Sequence, residues 1–181
     1  MSNNAIVKGS LQDLSNNTQK QIRDLFIDVE LVVMLDTSFS MSNRDGGEKS
    51  RYERAYDELR TLQGQHPGKI ALISWSSETE WCFSGIPTFR GNSTDLAGAL
   101  RFAKQVDNPF VTFVIISDGE PDSENDALQV ARTMQGKINT VYVGNEMGRG
   151  REFLARIANG TYSLNEFGKN LGATVARMLE G

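Results

Sequence analysis

Short apolar runs alternate along this chain with longer stretches in which apolar residues recur every three or four positions. An unbroken run rich in valine, isoleucine or leucine is typical of a strand buried on both faces of a parallel sheet. A spacing of three or four is typical of an amphipathic helix. We therefore predict main strands over 29–35, 69–75, 110–117 and 138–143. We predict helices over 10–26, 50–64, 94–106, 124–135, 149–158 and 166–179.

Two shorter segments complete the predicted sheet. Residues 80–84 follow a four-residue polar loop, which predicts a hairpin and hence an antiparallel strand at the sheet edge. Residues 161–164 suit a short final strand. Strands that alternate with helices predict an α/β fold with a doubly wound, mostly parallel, Rossmann-like central sheet and helices on both faces. We expect residues 1–28 to form an N-terminal extension with an amphipathic helix, and residues 29–181 to form the domain.

Composition and charge argue against several classes of protein. The chain has 181 residues, 39% of them hydrophobic and 23% charged, so it is long and apolar enough to fold around a core. Its net charge of −4 disfavours a nucleic acid or an anionic membrane as partner. The single cysteine, Cys82, cannot form an intrachain disulfide, and neither a signal peptide nor a membrane span is evident. We therefore expect a soluble, cytoplasmic protein.

Oxygen-bearing side chains follow the predicted core elements at three places. The first long strand ends in a carboxylate and then two hydroxyls at alternate positions, Asp36, Ser38 and Ser40. Thr94 opens a predicted helix, and Asp118 follows the second long apolar strand. Ligands of an open α/β sheet gather beyond the carboxyl ends of its strands, and oxygen donors suit Mg²⁺. We therefore expect these side chains to lie together in a surface loop region and to bind a metal.

This pattern resembles the von Willebrand factor type A (vWA) domain with its metal-ion-dependent adhesion site. The order of elements, including one antiparallel edge strand, matches that family over about 29–181, and the N-terminal helix lies outside the match. The resemblance implies a Mg²⁺ or Mn²⁺ ion and two aspartates that often act through water. The metal ligands it implies are Asp36, Ser38, Ser40, Thr94 and Asp118.

The resemblance implies a binding module and not an enzyme. An ion held mostly by neutral hydroxyls stays poorly neutralised, and an outward coordination position remains for an external carboxylate. We therefore expect a protein partner whose Asp or Glu side chain completes the coordination. The resemblance further implies work beside an ATPase or within a multiprotein assembly. Residues 37–44, 90–95 and 119–123 would surround the ion and select the partner.

Two other functions stay open. A metal-dependent phosphoester hydrolase would need a base or nucleophile beside the ion, and the sequence places no His, Cys or Lys there. A structural subunit of an assembly could carry a metal site that it does not use. The start of the motif also resembles the haloacid-dehalogenase phosphatases, but Ser38 stands where their second aspartate, the general acid, would be.

Several other residues have simpler interpretations. His66 lies in a Gly-Gln-His-Pro-Gly turn, where exposure is a better expectation than catalysis. We interpret Asp95 as a residue of the first helical turn. Glu120 and Asp122 are either turn residues or further acceptors near the metal, and Phe39 either packs under its loop or lies on the rim of the site.

Overall fold

A single mixed sheet lies at the centre of the protein. The computed structural model describes residues 5–144, 149–159 and 163–164 and the single positions 173 and 177, and within them the sheet has six strands. Their order is β3-β2-β1-β4-β5-β6, with β3 antiparallel to β2 and all other neighbours parallel. The predicted mostly parallel sheet with one antiparallel edge strand is thereby confirmed. The strands are β1 (Leu31–Asp36), β2 (Ile70–Trp75), β3 (Thr79–Trp81), β4 (Thr112–Ser117), β5 (Lys137–Tyr142) and β6 (Ser163–Leu164).

Helices connect the strands and cover the sheet. No helix in the described part of the chain is long and apolar enough to cross a bilayer. Of the predicted helix over 166–179, only positions 173 and 177 belong to the described residues, and both are helical. The α-helices are α1 (Leu11–Thr18), α2 (Ile22–Leu25), α3 (Arg51–Gln65), α4 (Leu96–Ala103), α5 (Glu124–Ala131) and α6 (Gly150–Ile157).

The central strand β1 is buried on both faces, as its unbroken apolar sequence predicts. Leu31, Val33 and Leu35 belong to one core cluster with buried residues of α3. Val32 and Met34 belong to the other cluster, with buried residues of α4, α5 and α6. Full burial of one such side chain stabilises the fold by roughly 1.5–3 kcal/mol. Packing from both sides therefore fixes the position of β1 and of the loop that follows it.

The N-terminal segment differs from the single helix predicted over 10–26. It forms α1, α2 and a short 3₁₀ helix over Phe26–Asp28, and Gln19 between α1 and α2 has a left-handed backbone with φ of 59°. No apolar residue lies between Leu14 and Ile22, so this stretch has no face to bury. Its Ser, Asn and Thr side chains also favour local hydrogen bonds over a continuous helix. The prediction of one unbroken helix was therefore wrong.

The N-terminal segment packs against the rest of the fold. The backbone N–H of Val7 donates to the carbonyl of Ser84 at 2.9 Å, and that of Gln12 donates to the carbonyl of Phe83 at 2.9 Å. Leu11 belongs to the core cluster that includes α4, α5 and α6. The domain boundary that we place after residue 28 stays a prediction.

The parallel strands end at one edge of the sheet, which we call the carboxyl edge. Asp36, the last residue of β1, pairs with Trp75, the last residue of β2. Leu35 pairs with Ile116 in β4, so Ser117 at the end of β4 is level with Asp36. The register therefore brings the loops after β1 and β4 side by side.

Candidate metal centre

Asp36 is fully buried at the carboxyl edge. Its Oδ1 accepts a hydrogen bond from the Ser38 backbone N–H at 2.8 Å, and its Oδ2 accepts one from the Ser117 hydroxyl at 2.6 Å. Burial raises the pKa of this carboxyl to about 7, and the charge of Asp118 adds to the rise, while the hydrogen bonds from Ser117 and Ser38 oppose it. A cation beside Asp36 would stabilise the carboxylate that burial disfavours.

The two serines of the motif lie in a tight turn after β1. A 3₁₀ helix over Phe39–Ser42 brings the hydroxyl oxygens of Ser38 and Ser40 to 3.2 Å from each other. Met41 is fully buried and anchors this turn in the core. Phe39 between the serines is 71% exposed, so it lies on the surface and does not pack under the loop. The turn thus pairs two hydroxyls and directs the intervening ring to solvent.

The loop that carries Thr94 crosses the turn after β1. The backbone N–H of Gly91 donates to the Thr37 carbonyl at 2.9 Å, and the Phe39 N–H donates to the Asn92 carbonyl at 3.1 Å. These two hydrogen bonds hold the loop against the two serines. Thr94, three residues after Gly91 in this loop, is buried.

Helix α4 begins later than the sequence predicts. Asp95 is its N-cap, and the Asp95 Oδ1 accepts a hydrogen bond from the Gly98 N–H at 2.8 Å. The prediction that Thr94 opens the helix was therefore wrong, as was the assignment of Asp95 to the first turn. Because Asp95 caps α4, the Thr94 hydroxyl is not needed as the helix cap.

Asp118 follows β4 and is also buried. Its Oδ2 accepts a hydrogen bond from Arg51 Nη1 at 3.1 Å, whereas its Oδ1 has no hydrogen-bond partner within the described part of the chain. A buried carboxylate oxygen without a partner is costly, which makes it a candidate ligand position. The expectation that Asp36 and Asp118 lie in a surface loop was wrong: both are buried, Asp36 is the last residue of β1, and the start of α6 lies against the backbone of Asp118.

Ser117 joins the two aspartates and was not singled out from the sequence. Its hydroxyl donates to Asp36 and accepts a hydrogen bond from the Gly119 N–H at 2.9 Å. Gly119 has φ of 75°, and a Cβ there would lie 2.2 Å from the Gly150 carbonyl oxygen. Only glycine fits this close approach without displacing the start of α6. The available signal for Ser117 was a hydroxyl at the end of an otherwise apolar strand.

Asp122 links the loop after β4 to the loop of Thr94. Its Oδ1 accepts a hydrogen bond from the Thr94 N–H at 3.1 Å, and its own N–H donates to the Thr94 carbonyl at 3.0 Å. Asp122 is therefore more than a simple turn residue, because its carboxylate and its backbone both bond to Thr94; its role as an acceptor near a metal stays a prediction. The third loop is thereby held to the second.

Arg51 is a further residue of this region that the sequence analysis missed. It is the first residue of α3, whose N-cap Ser50 and Glu53 form a capping box. Its guanidinium is buried and donates to Asp45 from Nε at 2.8 Å and from Nη2 at 2.6 Å, in addition to its bond to Asp118. A cation at a helix N-terminus is unfavourable because it opposes the helix dipole. The unusual position of Arg51 was therefore the sequence feature that could have identified it.

The donor set suits a small, hard cation. In the described residues no group of three or more His, Cys, Asp or Glu could hold a metal, so an ion here would need hydroxyl ligands as well as carboxylates. Two buried carboxylates, a pair of hydroxyls in contact and an unpartnered oxygen fit Mg²⁺ or Mn²⁺. Metal binding by the predicted ligands nevertheless stays a prediction.

Comparison with solved structures identifies the fold. The structure is similar to an aerotolerance-related membrane protein from Bacteroides fragilis, with a TM-score of 0.64 and 18% identity over 84% of this chain and 97% of that chain. It is similar to the manganese-loaded TRAP protein of Plasmodium vivax, with a TM-score of 0.59 and 14% identity over 85% of this chain and 72% of that chain. It is also similar to the VWA domain of SpRpn10, with a TM-score of 0.57 and 15% identity over 81% of this chain and 93% of that chain.

These similarities define the class of fold. No family model matches the chain, and no curated protein matches it in sequence. The protein has the vWA fold, as its sequence motif and element order predict.

Proposed function

We propose that this chain is a divalent-metal-dependent protein-binding module. Mg²⁺ or Mn²⁺ would be held by Asp36, Ser38, Ser40, Thr94 and Asp118, and an Asp or Glu of a protein partner would complete the coordination. The observation that carries the proposal is the convergence of three loops at the carboxyl edge, where one oxygen of buried Asp118 lacks a partner within the described residues.

The chemistry of the proposed ligands accounts for the preference for a carboxylate. Ser38, Ser40 and Thr94 are neutral donors, so the positive charge would be reduced only by Asp36 and Asp118. A bound ion would supply a strongly electrophilic centre facing the rim, and a carboxylate is the protein group that such a centre prefers. The manganese-loaded TRAP structure, which has a similar fold, supports the choice of a divalent cation.

The surface around the proposed ion would select the partner. We propose that residues 37–44, 90–95 and 119–123 form this rim. Phe39 is strongly exposed on it, and Phe89 beside it is also exposed, so the rim offers apolar area next to the charged centre. A protein that works beside an ATPase or within a multiprotein assembly is the partner that we propose. We further propose a cytoplasmic location.

A phosphoester hydrolase is the main alternative. The basic side chain in contact with Asp118 is Arg51, and a guanidinium keeps its proton in proteins and cannot serve as a general base. A binding module is therefore the better proposal. A structural subunit with an unused metal site is the remaining alternative.

Calorimetric titration of the full chain with Mg²⁺ tests metal binding. We expect one ion per chain in wild type and none in the double variant Ser38→Ala/Ser40→Ala. Equal binding by both proteins would exclude the assigned ligands. Hydrolysis of p-nitrophenyl phosphate by the metal-loaded protein, if absent from the double variant, would favour the hydrolase.

Water-proton relaxation by bound Mn²⁺ tests the open coordination position. A peptide with one Glu should displace metal-bound water and lower the relaxation enhancement, whereas the same peptide with Gln should not. An enhancement that neither peptide changes would favour the structural subunit. The matched peptides differ only in the carboxylate, so the comparison isolates the group that we propose.

A further inference from the structure

The Arg51 guanidinium is hydrogen-bonded to two carboxylates, and it binds one of them more strongly than the other. Asp45 receives two of its hydrogen bonds, at 2.8 and 2.6 Å, in a forked arrangement, and Asp118 receives one, at 3.1 Å. The side chains of Arg51 and Asp118 are 9% and 6% exposed, so solvent screens their interaction weakly. Arg51 is therefore a fixed positive charge in contact with a proposed metal ligand.

This charge has opposite effects on the metal-free and metal-bound protein. Without a metal, Arg51 compensates buried Asp118, and removing one partner of such a pair is strongly destabilising. With a divalent ion beside Asp118, the guanidinium and the ion repel each other. The bidentate hold of Asp45 limits how far the guanidinium can move towards Asp118.

We propose that Arg51 sets the metal affinity of this site. Arg51 neutralises Asp118 when no ion is bound. When an ion is bound, Arg51 lowers the affinity of the site for it, and the ion keeps more of its positive charge for a partner carboxylate. Asp45 is a positioning residue that holds Arg51 and so limits its competition for Asp118. The inference rests on the proposed metal site and concerns a residue outside the predicted ligand set.

Opposite shifts in two variants test the inference. Calorimetric titration of the full chain with Mg²⁺ should show binding roughly threefold to tenfold tighter in Arg51→Gln, because a nearby positive charge is lost. Binding in Asp45→Asn should be weaker by a similar factor, because Arg51 becomes free to pair more fully with Asp118. A purely structural role for Arg51 would weaken binding in both variants.

Matched controls come from exposed positions on the same helix. Arg60→Gln and Asp57→Asn make the same changes of charge in exposed residues of α3, and both should bind Mg²⁺ within about twofold of wild type. Arg51→Lys keeps the charge without the fork and should not bind more tightly than wild type. If the controls shift as much as the test variants, long-range charge explains the effect and the inference fails.

Melting without metal provides a second readout. Arg51→Gln should melt below wild type, and Asp118→Asn added to it should recover part of the loss, because the unpaired charge is then gone. If Arg51→Gln does not fold, Asp45→Asn is titrated once its circular dichroism is shown to match wild type: weaker binding then supports the inference, and unchanged or tighter binding overturns it. Absence of Mg²⁺ binding by wild type would overturn the proposed function as well. Wild-type binding that Arg51→Gln leaves unchanged or weakens would overturn this inference alone.

Discussion

Polar and apolar residues have the reverse of their usual distribution at the two edges of the sheet where the parallel strands end and begin. Carboxylates are buried at one edge, and apolar side chains are exposed at the other. At the carboxyl edge, Asp36 and Asp118 are buried. At the opposite, amino edge, Ile27 before β1 and Phe110 before β4 are 86% and 92% exposed, beside a groove of about 240 Å³ that is lined largely by apolar residues. Buried carboxylates cost free energy unless they are compensated, whereas single exposed apolar residues are ordinary. The carboxyl edge is therefore where function is to be sought.

The largest expected effect is loss of metal-dependent stability at the carboxyl edge. Metal that binds only the native state adds about 2.7 kcal/mol at a hundredfold excess over Kd. Wild type should therefore melt higher with saturating Mg²⁺, and Asp36→Ala and Asp118→Ala should show no such gain. Differential scanning fluorimetry with Mg²⁺ and with EDTA measures this. Gains equal to wild type in both variants would remove the distinction between the edges.

A second effect concerns the backbone that supports Asp118. Gly119→Ala should destabilise the fold by roughly 1–3 kcal/mol for its positive φ, and further for the contact with Gly150. Gly46→Ala is the matched control, since Gly46 has φ of 82° and nothing within 4 Å of its added Cβ. Urea denaturation measures both. Equal losses would mean that the close approach to α6 does not constrain the loop.

The hydroxyl of Thr94 should contribute less than either aspartate. Thr94→Val keeps the shape of the side chain and should weaken Mg²⁺ binding by about 1–2 kcal/mol. Thr94→Ser keeps the oxygen and should bind like wild type. Because Asp95 caps α4, neither change should shorten the helix, and far-ultraviolet circular dichroism checks that. Wild-type affinity in the Val variant would remove Thr94 from the ligand set.

The smallest effect is expected at the amino edge. Ile27→Ser and Phe110→Ser remove exposed apolar area and should change stability by no more than about 0.5 kcal/mol. Mg²⁺ affinity should not change, since distant sites add independently. Titration of the two variants beside wild type checks this. A change in Mg²⁺ affinity would show that the two edges are coupled.

Much of the sheet could be predicted because its strands are defined by local sequence. The apolar run of β1 and the short hairpin to β3 need no knowledge of distant contacts. The break at Gln19 was predictable in principle from the polar gap between Leu14 and Ile22. The late start of α4 was harder, because Thr94 and Asp95 are both acceptable caps and only tertiary contacts decide between them.

The site was predictable only in part, for a physical reason. The five proposed ligands lie in or beside the loops that follow β1 and β4 and precede α4, which local sequence can identify. Arg51 contacts Asp118 across 67 residues of chain, and it also pairs with Asp45, whose backbone is left-handed, with φ of 48°. Asp36 accepts a hydrogen bond from Ser117, 81 residues further along the chain. Such contacts arise from the assembled fold and leave little trace in local pattern.

The short antiparallel strand β3 has a consequence for how copies of the chain meet. β3 is the outermost strand on one side of the sheet and has only three residues, Thr79–Trp81. Few backbone groups are therefore exposed along that side. Arg90 forms ion pairs with Glu78 at 2.8 Å and with Glu80 at 3.2 Å, which places fixed charges beside the strand. A short border strand flanked by charges is a poor template for another chain. This side of the sheet therefore resists edge-to-edge aggregation.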